Sequence, residues 1–284
     1  DKQGVMVDPA TITFRQLLTH TSGLAPWRDV YLAAGPTPIS PDQPDSHPHH
    51  ERWSNALRAI YGYPFVDQPG NTVHYSDLGL MLLGEAATRL HSGADNLADV
   101  VASLVTKPLN LKMVMYNPMQ HGYTRTQIVP AEDDSDWRGR RVWGEVHDEN
   151  ACGVGGIAGH AGLFANAADV ARFGYAWLTT PTDSFALSPQ IAEQAVREQI
   201  DDDGTRRGLG WSIKARQNSA AGDVLSENAY GHLGFTGTSL WIDPARSLVI
   251  VCLTNRVYPG RERVGIHAFR REIHELIASA VDET

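Results

Sequence analysis

Leu248-Val249-Ile250-Val251-Cys252-Leu253 is the most demanding segment of this chain. The apolar, β-branched run reads as a strand. Its flanks need neighbours in the same sheet, because otherwise backbone polar groups and side chains face water. One neighbour is close in sequence: Ser239 to Ile242 forms a second strand, joined through the hairpin connection Asp243-Pro244-Ala245-Arg246-Ser247. Leu209 to Ile213 is a third short strand. Three short strands are few to support so apolar a segment. The pattern implies either partner strands from a segment outside these residues or a dimer that completes the sheet. A covering helix follows, with Ile266, Phe269, Ile273, Leu276, Ile277 and Val281 on one stripe.

Helical signals dominate up to about residue 200. Thr13 and Gln16 have capping-box spacing, Phe14, Leu17 and Leu18 give an apolar face, and Gly23 marks a stop. Pro36 to His50 reads as an exposed loop, and a helix resumes over Trp53 to Tyr61. Leu78, Met81, Leu82, Ala86 and Leu90 recur near a 3.6-residue period, the clearest helix in the chain. Another is expected over Leu97 to Lys107. Glycines crowd at 153, 155, 156, 159 and 162, where backbone passes close to backbone or takes positive φ. Asn166 and Ser188-Pro189 are further helix starts. The expected fold is α/β in the α+β sense, an antiparallel sheet flanked by helices plus a mostly helical region. Residues 1–200 hold the helical part and 201–284 the strands and last helix, together one composite domain.

With 284 residues the chain can bury a large core. No apolar run approaches a membrane span. A formal net charge of -9 disfavours nucleic acid as a partner. Cys152 and Cys252 are the only cysteines, which excludes a disulfide scaffold and a Cys-rich zinc site. Cys252 reads as a buried thiol. Cys152 is ambiguous but has no partner that would make it a nucleophile. His147-Asp148-Glu149 and His160 lack standard zinc spacing and read as loop packing, while His47, His49 and His50 read as solvated. Neither metal nor cofactor is expected, and the compartment stays open.

Two short motifs carry the chemistry. Tyr75-Ser76-Asp77 opens the clearest helix, so Tyr75 projects from a rigid scaffold. A tyrosine serves as proton carrier only where cations and donors stabilise its phenolate, since its free pKa is about 10. His232-Leu233-Gly234 opens a hairpin, with Gly234-Phe235-Thr236-Gly237-Thr238 expected to be extended and small enough for a ligand to reach the backbone. Trp27 and Tyr31 are placed along an aromatic wall of a substrate cleft. His20 is read as a structural hydrogen-bonding residue. Ser22 is read as terminating a helix and not as a nucleophile.

Ile12 to Leu24, ITFRQLLTHTSGL, resembles the segment that follows the nucleophile region in the class C β-lactamase-like serine hydrolases. That superfamily includes class C β-lactamases, DD-carboxypeptidases, D-aminopeptidases and related carboxylesterases. HYSDLGLMLLGE (His74 to Glu85) resembles its Tyr-x-Asn motif with Asp77 in the Asn place, and HLGFTGTSLWIDP (His232 to Pro244) its Lys-Thr-Gly strand, with His for Lys and Leu for Thr. VHDENA (Val146 to Ala151) and GIAGHAGLF (Gly156 to Phe164) are also familiar there. The resemblance implies an acyl-enzyme mechanism in which a serine of a Ser-x-x-Lys element attacks the substrate carbonyl. Residues 1–284 contain no such element, so the resemblance implies a further N-terminal fragment that carries it.

Carried over, Tyr75 is general base or acid, and Asp77 pairs with the Lys of that element. His232 is a donor near Tyr75 or a substrate carboxylate. Phe235 gives its backbone N–H to the oxyanion hole, and Gly234 and Thr236 line the substrate. Replacing Lys by His232 weakens any permanent positive charge for a substrate carboxylate. The resemblance therefore points to an esterase or D-amino-acid peptidase acting on a small ester, amide or peptide. A true β-lactamase and a noncatalytic binding or scaffold protein are the alternatives.

Overall fold

The computed structural model describes residues 4–43, 45–70, 72–179 and 187–282. The chain divides into two units, Asp1–Ala102 with Met115–Phe164, and Ser103–Val114 with Ala165–Thr284. Residues 165–200, grouped by sequence with the helical region, thus fall in the second unit.

The first unit contains helices α1 (Phe14–Leu18), α2 (Val30–Ala34), α3 (His49–Gly62), α4 (Asp77–Leu90), α5 (Leu97–Val101) and α6 (Glu149–Gly153). Two short pairings join them: β1 (Met115–Tyr116) with β4 (Leu163–Phe164), and β2 (Asp133–Asp134) with β3 (Arg140–Arg141). The Thr13 capping box forms as expected, Thr13 N–H donating to Gln16 Oε1 at 2.9 Å and Gln16 N–H to Thr13 Oγ1 at 3.2 Å. However, α1 stops well before Gly23. The left-handed turn behind it is taken by His20 (φ 60°). α3 begins earlier than expected, so His49 lies in its first turn and donates from Nδ1 to the Val154 carbonyl (2.6 Å) instead of facing water. The helix expected to Lys107 is α-helical only to Val101 and continues as a π-type turn over Ala102–Thr106.

In α4, Leu78 and Met81 are fully buried against Val30, Ile60, Ala151 and Val154. The glycine crowding has its reason here. A Cβ on Gly159 would lie 2.0 Å from the Leu80 carbonyl oxygen, so only glycine lets that loop run against α4.

The second unit holds α7 (Ala167–Leu178), α8 (Pro189–Val196), β5 (Ile200–Asp202), β6 (Thr205–Arg207), β7 (Ser212–Ile213), β8 (Tyr230–Leu233), β9 (Ser239–Asp243), β10 (Leu248–Cys252) and α9 (Ile266–Asp282). The strands form one antiparallel sheet in the order β10-β9-β8-β7-β6-β5. Three strands beyond the expected ones (β5, β6 and β8) therefore come from within the chain. None of them pairs with β10, which ends the sheet and has β9 as its partner among the described residues. β8 contains His232, and Gly234 to Thr238 is the loop into β9, not an extended segment.

Side chains alternate across the sheet as a pleat requires. Leu240, Ile242 and Val249 face α7, together with Phe173, Trp177, Trp211 and Tyr230. Trp241 and Ile250 face the other way, onto Ala278 of α9. The buried face of α9 differs from the apolar stripe read in the sequence: Phe269, Leu276 and Val281 are exposed, while Arg270, His274 and Ala278 are buried. His274 is fully satisfied there, donating from Nδ1 to the Ala220 carbonyl (2.7 Å) and accepting Ser239 O–H at Nε2 (3.0 Å).

α7 reaches the sheet through Gly174, where a Cβ would lie 2.6 Å from Val249 Cγ1 and 3.1 Å from Leu240 Cδ1. Gly174→Leu is expected to lower stability by about 1–3 kcal/mol through overpacking. Gly62→Ala, where nothing lies within 4 Å, is expected to leave it nearly unchanged. Urea unfolding midpoints of the two variants check this, and equal midpoints would contradict the packing.

Candidate active site

In the first unit the Tyr75 motif is assembled by backbone docking. Ser76 is buried and caps α4, accepting Gly79 N–H at Oγ (3.2 Å) while donating that hydroxyl to the Ala25 carbonyl (2.7 Å). Its own N–H donates to Nδ1 of His20 (3.0 Å), and Asp77 N–H donates to the Pro26 carbonyl (2.9 Å). The His20 ring packs on Tyr75 with centroids 4.2 Å apart and planes at 32°. Tyr75 stays 36% exposed, available to a ligand. Left-handed φ at a residue other than glycine costs on the order of 1 kcal/mol or more. The bonds at His20 hold it there.

Beside this motif lies a cluster that sequence spacing did not reveal. One ligating atom each from Asp77, Asp148 and His160 falls within 4.8 Å of the others. His160 Nε2 donates to Asp148 Oδ1 (2.7 Å), and its side chain is almost wholly enclosed. Burial alone would raise the Asp148 carboxyl, but His160, the Ala151 N–H and His147 outweigh it and hold it below the usual range. Burial likewise disfavours the His160 cation, yet the Asp148 carboxylate, its hydrogen bond and Asp77 prevail and push it up. Asp77 is pushed up to about 6, chiefly by burial, with Asp148 adding to the effect and His160 opposing it. Two carboxylates whose affinities for protons are driven apart around one imidazole are a frequent signature of a functional site. At neutral pH the three groups carry a net negative charge. The loop-packing reading of Asp148 and His160 is therefore incomplete.

Trp27 follows the carbonyl that anchors Asp77 and is 40% exposed. Tyr31 is packed more deeply, its ring 4.7 Å from Trp137 and its N–H donated to Asn150 Oδ1 (3.0 Å). Cys152 is buried, and its thiol is pushed up to about 12 by that burial, which disfavours a thiolate nucleophile. Ser22 is buried with its Oγ accepting Leu24 N–H.

In the second unit, His232 donates from Nδ1 to the Leu233 carbonyl (3.0 Å). Burial, and then Arg207, hold its pKa below the ordinary histidine value. A neutral ring with its proton on Nδ1 offers an acceptor lone pair at Nε2, and a protonated one a donor. The adjoining loop is held rigidly, because every carbonyl from Gly234 to Thr238 accepts a protein donor. Gly234 O accepts from Gly237 N–H and Arg270 Nη2, and Thr238 O from Gly234 N–H and Arg270 Nη2. Phe235 O accepts from Arg256 Nε, Thr236 O from Arg256 N–H and Gly237 O from Thr254 Oγ1. Arg256 also covers the half-exposed Phe235 ring at 4.3 Å. These bonds fix the backbone of the loop in one conformation. Ser239 and His274 form a serine–histidine pair, but both are buried and serve to tie β9 to α9.

The family model for beta-lactamase matches residues 7–275. The chain belongs to the beta-lactamase family. A putative D-alanyl-D-alanine carboxypeptidase of Salmonella agona is 33% identical over 221 residues, covering 72% of this chain and 50% of that protein. The chain thus spans about half the length of the curated relatives it matches. Among solved structures, a beta-lactamase from Mycobacterium bovis is 20% identical with TM-score 0.60, covering 98% of this chain and 77% of that one. The hydrolase EstCE1, with promiscuous acyltransferase activity, is 20% identical with TM-score 0.65, covering 92% and 71%. These likenesses place the fold among the beta-lactamase-like serine hydrolases, with helices and an antiparallel sheet as expected.

The half-buried Asp77 carboxylate gives a signed prediction. A raised carboxyl holds its proton more tightly when folded, so stability falls as pH rises from the usual carboxylate range to about 6. In residues 1–284 by themselves, with no lysine beside it, Asp77→Asn removes this penalty and is expected to stabilise the fold on the order of 2 kcal/mol at pH 7.5, with the gain fading by pH 4. Thermal unfolding at both pH values reads the difference. A gain independent of pH, or none, would contradict the buried-charge account.

Proposed function

We infer that this chain carries the tyrosine and oxyanion-donor parts of a serine hydrolase that cleaves an ester or amide through an acyl-enzyme. The observation that carries the reading is the part-exposed Tyr75 ring held before α4 by the His20 and Ser76 bonds, with Asp77 of the negatively charged cluster two residues on to hold the lysine ammonium that its phenolate requires. In this mechanism the nucleophilic serine and a lysine three residues later belong to a segment outside residues 1–284. That lysine ammonium pairs with Asp77, and the same segment supplies the second neighbour of β10.

The serine oxygen bonds to the substrate carbonyl carbon as its proton passes to Tyr75 or the lysine. The carbonyl oxygen takes the negative charge and accepts the Phe235 N–H. When the leaving group departs, Tyr75 returns the proton to its oxygen or nitrogen, and water repeats the sequence to release the acid and free the serine. Gly234, Thr236 and Trp27 contact the substrate in this reading.

The neutral His232 supports an ester or amide without an obligatory carboxylate more than a β-lactam. Peptides of D-amino acids are the second reading, favoured by the name of the Salmonella agona relative.

In the natural protein, a fluorophosphonate probe is expected to label one serine in a Ser-x-x-Lys element. Tyr75→Phe should lower kcat about 10²- to 10⁴-fold, the usual worth of a general acid–base group. Stoichiometric labelling of a serine within residues 1–284, or no labelling at all, contradicts the reading. The second outcome favours a binding or scaffold role.

A further inference from the structure

Glycine is the ordinary occupant where a helix ends in a left-handed turn. Behind α1 that position holds His20 (φ 60°), with its imidazole enclosed at 3% exposure. Three contacts from this one residue bracket Tyr75. The His20 carbonyl accepts His74 N–H (2.9 Å), Nδ1 accepts Ser76 N–H (3.0 Å), and the ring packs on the Tyr75 ring. The residues on both sides of the tyrosine are therefore fixed by the same side chain and backbone that support its phenol. Because Nδ1 accepts an amide proton, the neutral ring carries its own proton at Nε2.

We propose that His20 is a positioning residue for Tyr75, holding a solvent-accessible phenol in one orientation by packing behind it and clamping the backbone on either side. This rests on the reading that Tyr75 carries protons in acyl transfer. A purely architectural role would need only a left-handed turn and an acceptor for Ser76 N–H. Asparagine offers both, since it tolerates left-handed φ and has a carbonyl oxygen near the place of Nδ1. It lacks the ring. His20→Asn therefore separates architecture from positioning.

The test uses the natural full-length protein with fluorotyrosine incorporated and the Tyr75 resonance assigned by its loss in Tyr75→Phe. In His20→Asn, kcat is expected to fall about ten- to a hundredfold, the range for a small misplacement of a catalytic group. KM should stay within about threefold, and the Tyr75 fluorine resonance should move toward that of a solvated tyrosine. Wild-type kcat together with an unmoved resonance overturns the proposal. If the wild-type protein shows no acyl transfer, the functional reading fails, and the resonance alone decides the clamp. If His20→Asn does not fold, Tyr75→Ala reads the stack from the other side: shifted carbon-bound protons of the His20 ring support it, and unshifted ones overturn it.

Discussion

The first turn of a helix exposes amides that must find acceptors, and at α4 those acceptors come from the chain between His20 and Pro26. Ser76 is the hub, with its N–H on His20, its hydroxyl between Ala25 and Gly79, and the next amide on Pro26. Val66, Gly70 and His74 add their own amides to Gly23, Thr21 and His20. A buried polar group left without a partner costs about 1–3 kcal/mol, so each of these bonds is strongly held. The orientation of Tyr75, the burial of Asp77 and the turn at His20 all depend on them. The segment most like the family's sequence between nucleophile and tyrosine motif is thus the docking strip for the tyrosine, which gives its residue types a physical reason.

Charge is arranged differently in the two units. Around the start of α4 a single imidazole faces two carboxylates, and the geometry strengthens one acid while weakening the other. Asp77 remains an ionised group in a poorly solvated place. A lysine ammonium is the partner that would relieve it, and an asparagine at the same position would not need one. In the sheet unit the Gly234–Thr238 loop is organised by Arg256 and Arg270, whose donors hold carbonyls inward, while His232 is kept neutral. The weak positive character at His232 and the strong negative character at Asp77 both depart from the Lys and Asn expected at those places.

Periodicity made α4 legible, capping chemistry made α1 and α8 legible, and the β9–β10 hairpin followed from its turn. β5 and β6 were missed because Asp201, Asp202, Arg206 and Arg207 give no apolar alternation, although Asp203 and Gly204 form a left-handed hairpin turn between them. Neighbouring strands, and not intrinsic preference, decide such short segments. The face of α9 was misjudged because its buried positions include Arg270 and His274, polar residues whose partners lie far away in sequence. The same holds for the site. Tyr75 and Asp77 were visible through the resemblance, and Asp148 and His160 stood in stretches that carried it. Their convergence on Asp77 depends on the glycine loop folding back onto α4, which no local pattern encodes.

In the proposed function a cation from outside residues 1–284 completes the Asp77 cluster. A site-resolved carbon-13 titration of the Asp77 carboxyl in the natural protein tests it most directly. The account predicts a value well below about 6 in the intact protein, rising toward about 6 when the Ser-x-x-Lys lysine is replaced by alanine. A titration that is the same in both proteins would contradict it.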